Sequence, residues 1–439
     1  MREWREGVSW PRARQIGYSL ADQGFSVGGM FLVNIALARG QSKEEYGAFV
    51  LAYSAFTFLA GLHNAAILEA YTIHGSGRYR ETFPAYARLL WRSNWVLGLG
   101  ATAALVVLWC VLSWRMPQLA PRAALGMAVG CGVMLSAAFV RRTFYMRRRA
   151  DLAAKFSLAF FGACAILIFS AVRMQALNGL TAFLAVALAW IFAGLVFARE
   201  LPGRGASGGE RFGEGVAGYW AEHWSYSRWV FVTALVFLFT TQGYYWLAAG
   251  WLSVKDVGEL RAMYNLVTPV DQFFVAMSLL VLPLLSSRFA AQRMAGLLPM
   301  WKSYALGSFA LTVAFTAVMN VCGKRAMHVV YAGKFDEVAP LVGTLAFLPV
   351  VMGIGNSINL ALKAMEKPQA VFYAYVASGT ATFAMGLPLL LHFGLRGAVY
   401  GMLASAGVYS AAQGAALLWF QARAYALPLG QGAKRDPLL

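Results

Sequence analysis

The sequence predicts an all-α polytopic membrane protein of about twelve transmembrane helices in two six-helix lobes. Three observations predict it. Of 439 residues, 59% are hydrophobic and only 13% charged, with a mean hydropathy of +0.58; soluble chains run at roughly 45–50% apolar and about 25% charged. Apolar runs of membrane-crossing length recur along the chain, separated by short polar connections. Finally, the connection "LARGQSKEEYGAF" (37–49) returns in altered form as "LAAGWLSVKDVGEL" (247–260).

A hydrocarbon core about 30 Å thick requires about 20 mostly apolar residues per helix. By that ruler the spans lie near 16–38, 47–73, 93–113, 122–142, 154–173, 178–198, 227–250, 258–286, 304–322, 339–363, 368–392 and 396–420. The formal net charge of +18 has no nucleic-acid pattern, because Lys and Arg stand in short clusters between the apolar runs. "RARQ", "GRYRETFPAYARLLWR", "RRTFYMRRRADLAAK", "RGASGGERF", "SRFAAQRM", "KAMEK" and "AKRD" all fall on one side. The positive-inside rule makes that side cytoplasmic, and an even number of spans puts both termini there. No cleaved signal peptide is expected at the start.

The longest connection is polar and Gly-rich in its first half, then aromatic, with Tyr219, Trp220, Trp224, Tyr226 and Trp229. The first half reads as a flexible linker and the second as an interfacial segment. The expected organisation is an N-terminal lobe over 1–198, a cytoplasmic linker over 199–226, a C-terminal lobe over 227–422 and a cytoplasmic tail over 423–439. No connection is long enough to hold a catalytic domain. "GRGASGGERFGEG" lacks the Lys-Ser/Thr and the preceding strand of a P-loop, and no HExxH or GxSxG motif occurs. The four cysteines are isolated in apolar segments, without metal-ligand or disulfide spacing. The sequence therefore predicts no enzyme, cofactor or metal, and uphill transport would draw on a proton or sodium gradient.

Aligned at an offset of 211, Ser42 falls on Ser253, Glu45 on Asp256, Gly47 on Gly258, Ser54 on Asn265 and Thr57 on Thr268. An internal duplication explains the set, and parallel halves are a transporter architecture with the substrate path between them. The alternative is that short loops converge on Gly, Ser and acidic turn residues.

An early helix with a buried acid ("YSLADQGFSVGGMFLVNIALARG"), then "SKEEYG", then a long second helix resembles the polysaccharide-lipid flippases of the Wzx type. These belong to the multidrug/oligosaccharidyl-lipid/polysaccharide (MOP) exporter superfamily. "AFVRRTFYMRRRADLAAKFSL" and "NSINLALKAMEKPQAVFYAY" are similar to that family's cytoplasmic helix ends. The resemblance implies a V-shaped, two-lobed MATE-like bundle in the bacterial inner membrane, alternating access to a central cavity. It implies as cargo a glycan on polyprenyl pyrophosphate, and as partners a coupling ion, membrane lipids and polysaccharide assembly proteins.

Ionisable groups inside spans are costly and therefore candidates. Asp22, with Gln23 beside it, either takes up a coupling proton or pairs with an arginine. In the eighth span Arg261, Asn265, Thr268 and Gln272 follow i, i+4, i+7, i+11, a polar stripe flanked by Asp271. Arg261 either meets a phosphate bidentately or snorkels to the interface. Ser54, Thr57, Gly61 and Asn64 repeat the stripe more mildly in the second span, with His63 on the opposite face, where hydrogen-bonded packing is expected ahead of proton relay. Arg141 and Lys155, at the inner ends of the fourth and fifth spans, either orient the protein or recruit an anionic head group.

The leading expectation is a flippase for a lipid-linked oligosaccharide. A drug or metabolite antiporter of the same superfamily is the first alternative and would need a more acidic cavity. A membrane glycan polymerase or acyltransferase is the second and would need a large outer loop or an intramembrane acid–His pair.

Overall fold

The computed structural model describes residues 10–76, 79, 82–115, 121–201 and 215–426. Of the predicted linker, 202–214 lies outside the described residues, as does 427–439 of the predicted tail. The described chain is helical from end to end: α1 (Trp10–Gly40), α2 (Lys43–His63), a π-helical turn (Asn64–Leu68), α3 (Glu69–Ser76), α4 (Phe83–Arg115), α5 (Arg122–Met146), α6 (Ala150–Arg173), α7 (Gly179–Val196), α8 (Gly215–Trp251), α9 (Val254–Tyr331), α10 (Pro340–Leu345), α11 (Leu348–Ala364), α12 (Pro368–Ala381), a second π-helical turn (Thr382–Gly386) and α13 (Leu387–Ala426). Only helices satisfy every backbone group inside a segment, which hydrocarbon requires.

Ten described stretches are long and apolar enough to cross a membrane, and the protein is a multi-pass membrane protein. The predicted eighth and ninth spans share the 78-residue α9, broken at Arg293 (φ 52°, ψ −137°). The predicted eleventh and twelfth meet at Gly394 (φ 58°, ψ −135°) inside α13. One positive-φ residue breaks the helix in each case, so the helices run almost into one another. The aromatic second half of the predicted linker is no connection: from Gly215 it is the beginning of α8, continuous with the seventh span.

The chain divides into two compact units, one of residues 1–262 with 328–335 and one of 263–327 with 336–439. The first is packed through aromatic rings. Phe160 of α6 stacks on Trp190 of α7 at 3.8 Å between centroids, and Tyr71, Tyr86 and Phe139 are buried together. In the second, Leu285, Leu297, Ile358 and Leu362 form the apolar core. Beside it Asn359 donates to Tyr409 Oη at 2.8 Å, and Tyr409 donates on to Tyr375 at 3.2 Å. Lipid is as apolar as a leucine side chain, so interhelical hydrogen bonds and close packing replace the hydrophobic drive.

Candidate functional site: buried charges of α1, α2, α5 and α9

Asp22 is fully buried. Arg141 Nε donates to its Oδ1 at 3.0 Å and Nη2 to its Oδ2 at 2.7 Å. Tyr145 Oη donates to Oδ2 at 2.7 Å, and Ser157 Oγ to Oδ1 at 2.5 Å. Arg141 Nη1 reaches Ser26 Oγ at 2.9 Å. Of the two roles the sequence left open, the geometry displays the pairing with an arginine. An ionised carboxylate is tolerated there because both oxygens are fully engaged. Gln23 is half-buried and stands apart from this cluster.

Since Asp22 neutralises Arg141, the cation left at the inner end of α5 is its neighbour. Arg142 Nη2 donates at 2.9 Å to Asn64 Oδ1, a neutral acceptor; Glu69 is near enough to attract it, without an ion pair at contact distance among the described residues. Lys155 is exposed. Asn64 opens the π-helical turn; such one-residue expansions often occur at functional sites. The turn is held from a second side. His223 Nε2 donates to the Ala66 carbonyl at 2.8 Å, and Tyr86 Oη donates to His223 Nδ1 at 3.1 Å. Burial, aided by nearby His74 and opposed by the Ala66 carbonyl, holds His223 below the ordinary imidazole pKa. His63 donates to Asn94 Oδ1 at 2.6 Å, and Asn94 to Ser136 at 3.0 Å, a packing chain across α2, α4 and α5.

Arg261, in the first turns of α9, lies among aromatic rings. Its guanidinium carbon is 5.4 Å from the centroid of Tyr53 and 6.0 Å from that of Tyr245, and Nη1 is 3.4 Å from Tyr245 Oη. No described carboxylate pairs with it. Its Nε is buried without an acceptor. Ring faces soften the isolation of a cation but do not neutralise it. On α2, Ser54 is buried, accepting from Trp246 Nε1 at 2.9 Å and donating to the Leu51 carbonyl at 2.8 Å. Half-buried Thr57 donates to the Tyr53 carbonyl at 2.9 Å.

Within the second unit Asn265 is buried, while Thr268, Asp271 and Gln272 are half-buried. Thr268 bonds the Tyr264 carbonyl at 3.2 Å, and Tyr264 Oη donates to Asp271 Oδ2 at 2.8 Å. The predicted stripe thus divides into a cationic head at Arg261 and a hydrogen-bonded stem below it.

The internal repeat has a structural counterpart. Ser42 and Ser253 cap α2 and α9 alike, accepting from Glu45 N at 3.1 Å and Asp256 N at 3.2 Å. The connections before them, 41–42 and 252–253, are two residues each. Gly47 and Gly258 mark where the two helices cross. A Cβ on Gly47 would lie 1.8 Å from the Val254 carbonyl oxygen, and one on Gly258 2.8 Å from that of Lys43. Gly47 with Val254 and Gly258 with Lys43 exchange under the 211-residue offset, the signature of a local two-fold.

No family model matches the sequence, and no curated protein does. Solved structures do. An inward-facing multidrug resistance MATE family transporter of the MOP superfamily aligns with a TM-score of 0.67 and 15% identity, over 94% of this chain and 95% of its own. The fold is that of the MATE transporters. An outward-facing MATE transporter gives 0.67 at 12% identity, over 94% and 96%. A MOP superfamily transporter from Pyrococcus furiosus gives 0.67 at 12%, over 94% and 95%; its binding pocket is described as reversed in polarity, suggesting a different function.

Sequence reasoning missed Tyr145 and Ser157 around Asp22, and the tyrosines around Arg261. Tyr145 was legible, since Arg141 and Tyr145 share a helix face at i, i+4. The tyrosines of α2 and α8 carry no spacing that ties them to an arginine of α9.

Proposed function

We propose that this chain is a transporter that moves a polyprenyl-pyrophosphate-linked oligosaccharide from the inner to the outer leaflet of a bacterial inner membrane, for surface polysaccharide biosynthesis. One observation carries this reading: the guanidinium of Arg261 lies among aromatic rings, with its Nε buried without an acceptor and no described carboxylate paired with it. A planar fork with unused donors matches a phosphate, which in turn needs a cation to enter hydrocarbon. Arg142, hydrogen-bonded to a neutral amide and only within electrostatic reach of Glu69, offers a second positive charge toward the cytoplasmic end. The reversed pocket polarity of the Pyrococcus neighbour is in keeping with a MOP-fold chain whose cargo is not a cationic drug.

The fold is equally that of a drug antiporter, and a cationic drug would need an accessible carboxylate. Asp22 does not provide one, with both oxygens engaged. Coupling to a proton or sodium gradient supplies about 2.3 kcal/mol per charge per 100 mV. The test is a deletion strain complemented with wild type or Arg261→Ala. The expected result is loss of a surface glycan and accumulation of its lipid-linked precursor, reversed by wild type but not by the variant. A deletion strain with intact glycans and new sensitivity to cationic drugs would establish the antiporter instead.

A further inference from the structure

The end of the first unit that the charge bias assigns to the cytoplasm carries a recess of about 510 Å³. It is lined by Leu152 of α6, by Leu195 and Val196 of α7, and by Phe197, Arg199 and Glu200 beyond that helix. Its frame is fixed on two sides. The Phe197 ring packs edge-on against Phe156, with centroids 5.9 Å apart. Arg147 Nη1 donates to the Glu200 carbonyl at 3.0 Å, which ties the 3₁₀ turn over Ala198–Glu200 to the connection between α5 and α6. That connection is only Arg147, Arg148 and Arg149. It closes as a Schellman turn, with Arg149 N bonded to the Phe144 carbonyl and Arg148 N to that of Tyr145, both at 2.9 Å. No spacer separates the three guanidinium groups.

The cations here are not equally engaged. Arg149 Nε and Nη2 reach the two oxygens of Asp151 at 2.9 and 3.0 Å. Arg147 spends one nitrogen on a neutral carbonyl. Arg148 and Arg199 are exposed, and among the described residues no carboxylate pairs with either. Against these three stands one carboxylate of the lining, Glu200. Away from the charges the surface turns apolar. Leu188, Ile191, Phe192, Leu195 and Val196 recur at i, i+3, i+4, i+7 and i+8, one face of α7, and are 42–70% exposed.

We infer that the recess binds an anionic phospholipid of the cytoplasmic leaflet: its phosphate sits among Arg147, Arg148 and Arg199, and an acyl chain runs along the exposed face of α7. Topology alone requires basic residues near the interface. It requires neither a recess beside them nor an apolar strip leading away from it. The combination matches a molecule with a charged head and a long tail. A free phosphate would use the arginines and leave the strip unused, and a zwitterionic lipid brings its own cation to an already cationic site. Guanidinium forks suit phosphate oxygens, and each basic residue at such a surface strengthens anionic-lipid binding by a factor of about five. A bound lipid would clamp the α5–α6 turn to the end of α7. The site is independent of what the protein carries.

Thermal unfolding of the full chain, purified in a non-ionic detergent, tests the site against added lipid. Dioleoyl-phosphatidylglycerol should raise the midpoint saturably. Dioleoyl-phosphatidylcholine, inorganic phosphate and glycerophosphoglycerol (the headgroup without its tails) should each raise it far less. Arg148→Gln with Arg199→Gln alters two exposed side chains, so the midpoint without lipid should hold. The phosphatidylglycerol concentration needed for half the shift should then rise about thirtyfold, the factor of about five taken twice. Leu195→Asn, which leaves every arginine in place, should raise it severalfold. A phosphatidylglycerol response unchanged in the arginine variant overturns the inference. Equal shifts with phosphatidylcholine would reduce the face to ordinary boundary lipid, and equal shifts with phosphate or the tail-less headgroup would leave an anion site only; either result also overturns it. A polyprenyl phosphate that displaces phosphatidylglycerol through the same arginines would assign the recess to cargo entry instead.

Discussion

Arg141 holds both carboxylate oxygens of Asp22, with Nε at 3.0 Å from Oδ1 and Nη2 at 2.7 Å from Oδ2, and the acid has no exposure to solvent. Buried pairs of this kind are asymmetric in their energetics: removing one partner costs about 3–5 kcal/mol, because the other is left charged and unpaired. Arg141→Ala should therefore lower the thermal midpoint of the purified protein and reduce the folded yield. Asp22→Asn should do the same more mildly, since Arg141 keeps some contact with solvent. The double variant Asp22→Asn/Arg141→Gln should recover part of the loss. Thermal unfolding in detergent reads this directly. Singles with wild-type midpoints would mean that Asp22 is free for proton coupling after all.

Arg261 predicts the opposite pattern. No carboxylate depends on it, so Arg261→Ala should leave the thermal midpoint near wild type while abolishing export. Arg261→Lys keeps the charge and loses the planar fork, and should reduce export about tenfold. Tyr53→Phe preserves the ring face and should be nearly silent, whereas Tyr53→Leu removes it. Initial export rates at matched expression separate these outcomes. Equal activity of the lysine variant would reduce Arg261 to a simple point charge.

His223 makes the docking of α8 on the π-helical turn sensitive to pH. Its pKa in the folded protein lies below the free value of about 6.5. Above that value both docked and undocked forms are neutral, and the docking stability is fully present. As pH falls below it, the undocked form takes up a proton that the docked form resists, so docking weakens with acidification. Amide exchange over 215–229, corrected for intrinsic rates, should rise from about pH 7.5 to about pH 5. His223→Gln, which keeps a donor for the Ala66 carbonyl, should flatten that dependence. A wild-type profile independent of pH would show that His223 does not titrate there.

Much of this architecture was written in the sequence because lipid imposes a coarse grammar. Span length, helix and basic side follow from a 30 Å slab that tolerates no unpaired backbone. The repeat was legible because two crossing glycines and two capping serines were retained at one offset. Helix joints were not. At Arg293 and Gly394 a single positive-φ residue breaks the helix, and the polar residues on either side stay helical where the sequence reads as a loop. The candidate site was legible by residue type and not by state. A charge in a span stands out, yet whether it is neutralised depends on partners such as Arg141 for Asp22, more than a hundred residues away. The same limit put weight on Arg141 where the geometry leaves Arg142 available.

Arg142 supplies a last prediction that separates a packing role from an electrostatic one. Its partner Asn64 is neutral, at 2.9 Å, in the π-helical turn. Asn64→Asp is nearly isosteric and would give the guanidinium a carboxylate in place of an amide. If Arg142 only ties α5 to α2, that charge-assisted bond is stronger and nothing is lost; charged hydrogen bonds contribute about 1.5–3 kcal/mol against about 1 for neutral ones. The thermal midpoint should accordingly hold or rise. If Arg142 also attracts an anionic head group from the cytoplasmic side, neutralising it should weaken export severalfold, most clearly at limiting precursor. Raised stability with reduced export is the expected combination, checked by unfolding and precursor titration on one preparation. Raised stability with unchanged export would confine Arg142 to packing and leave Arg261 as the cation that the cargo meets.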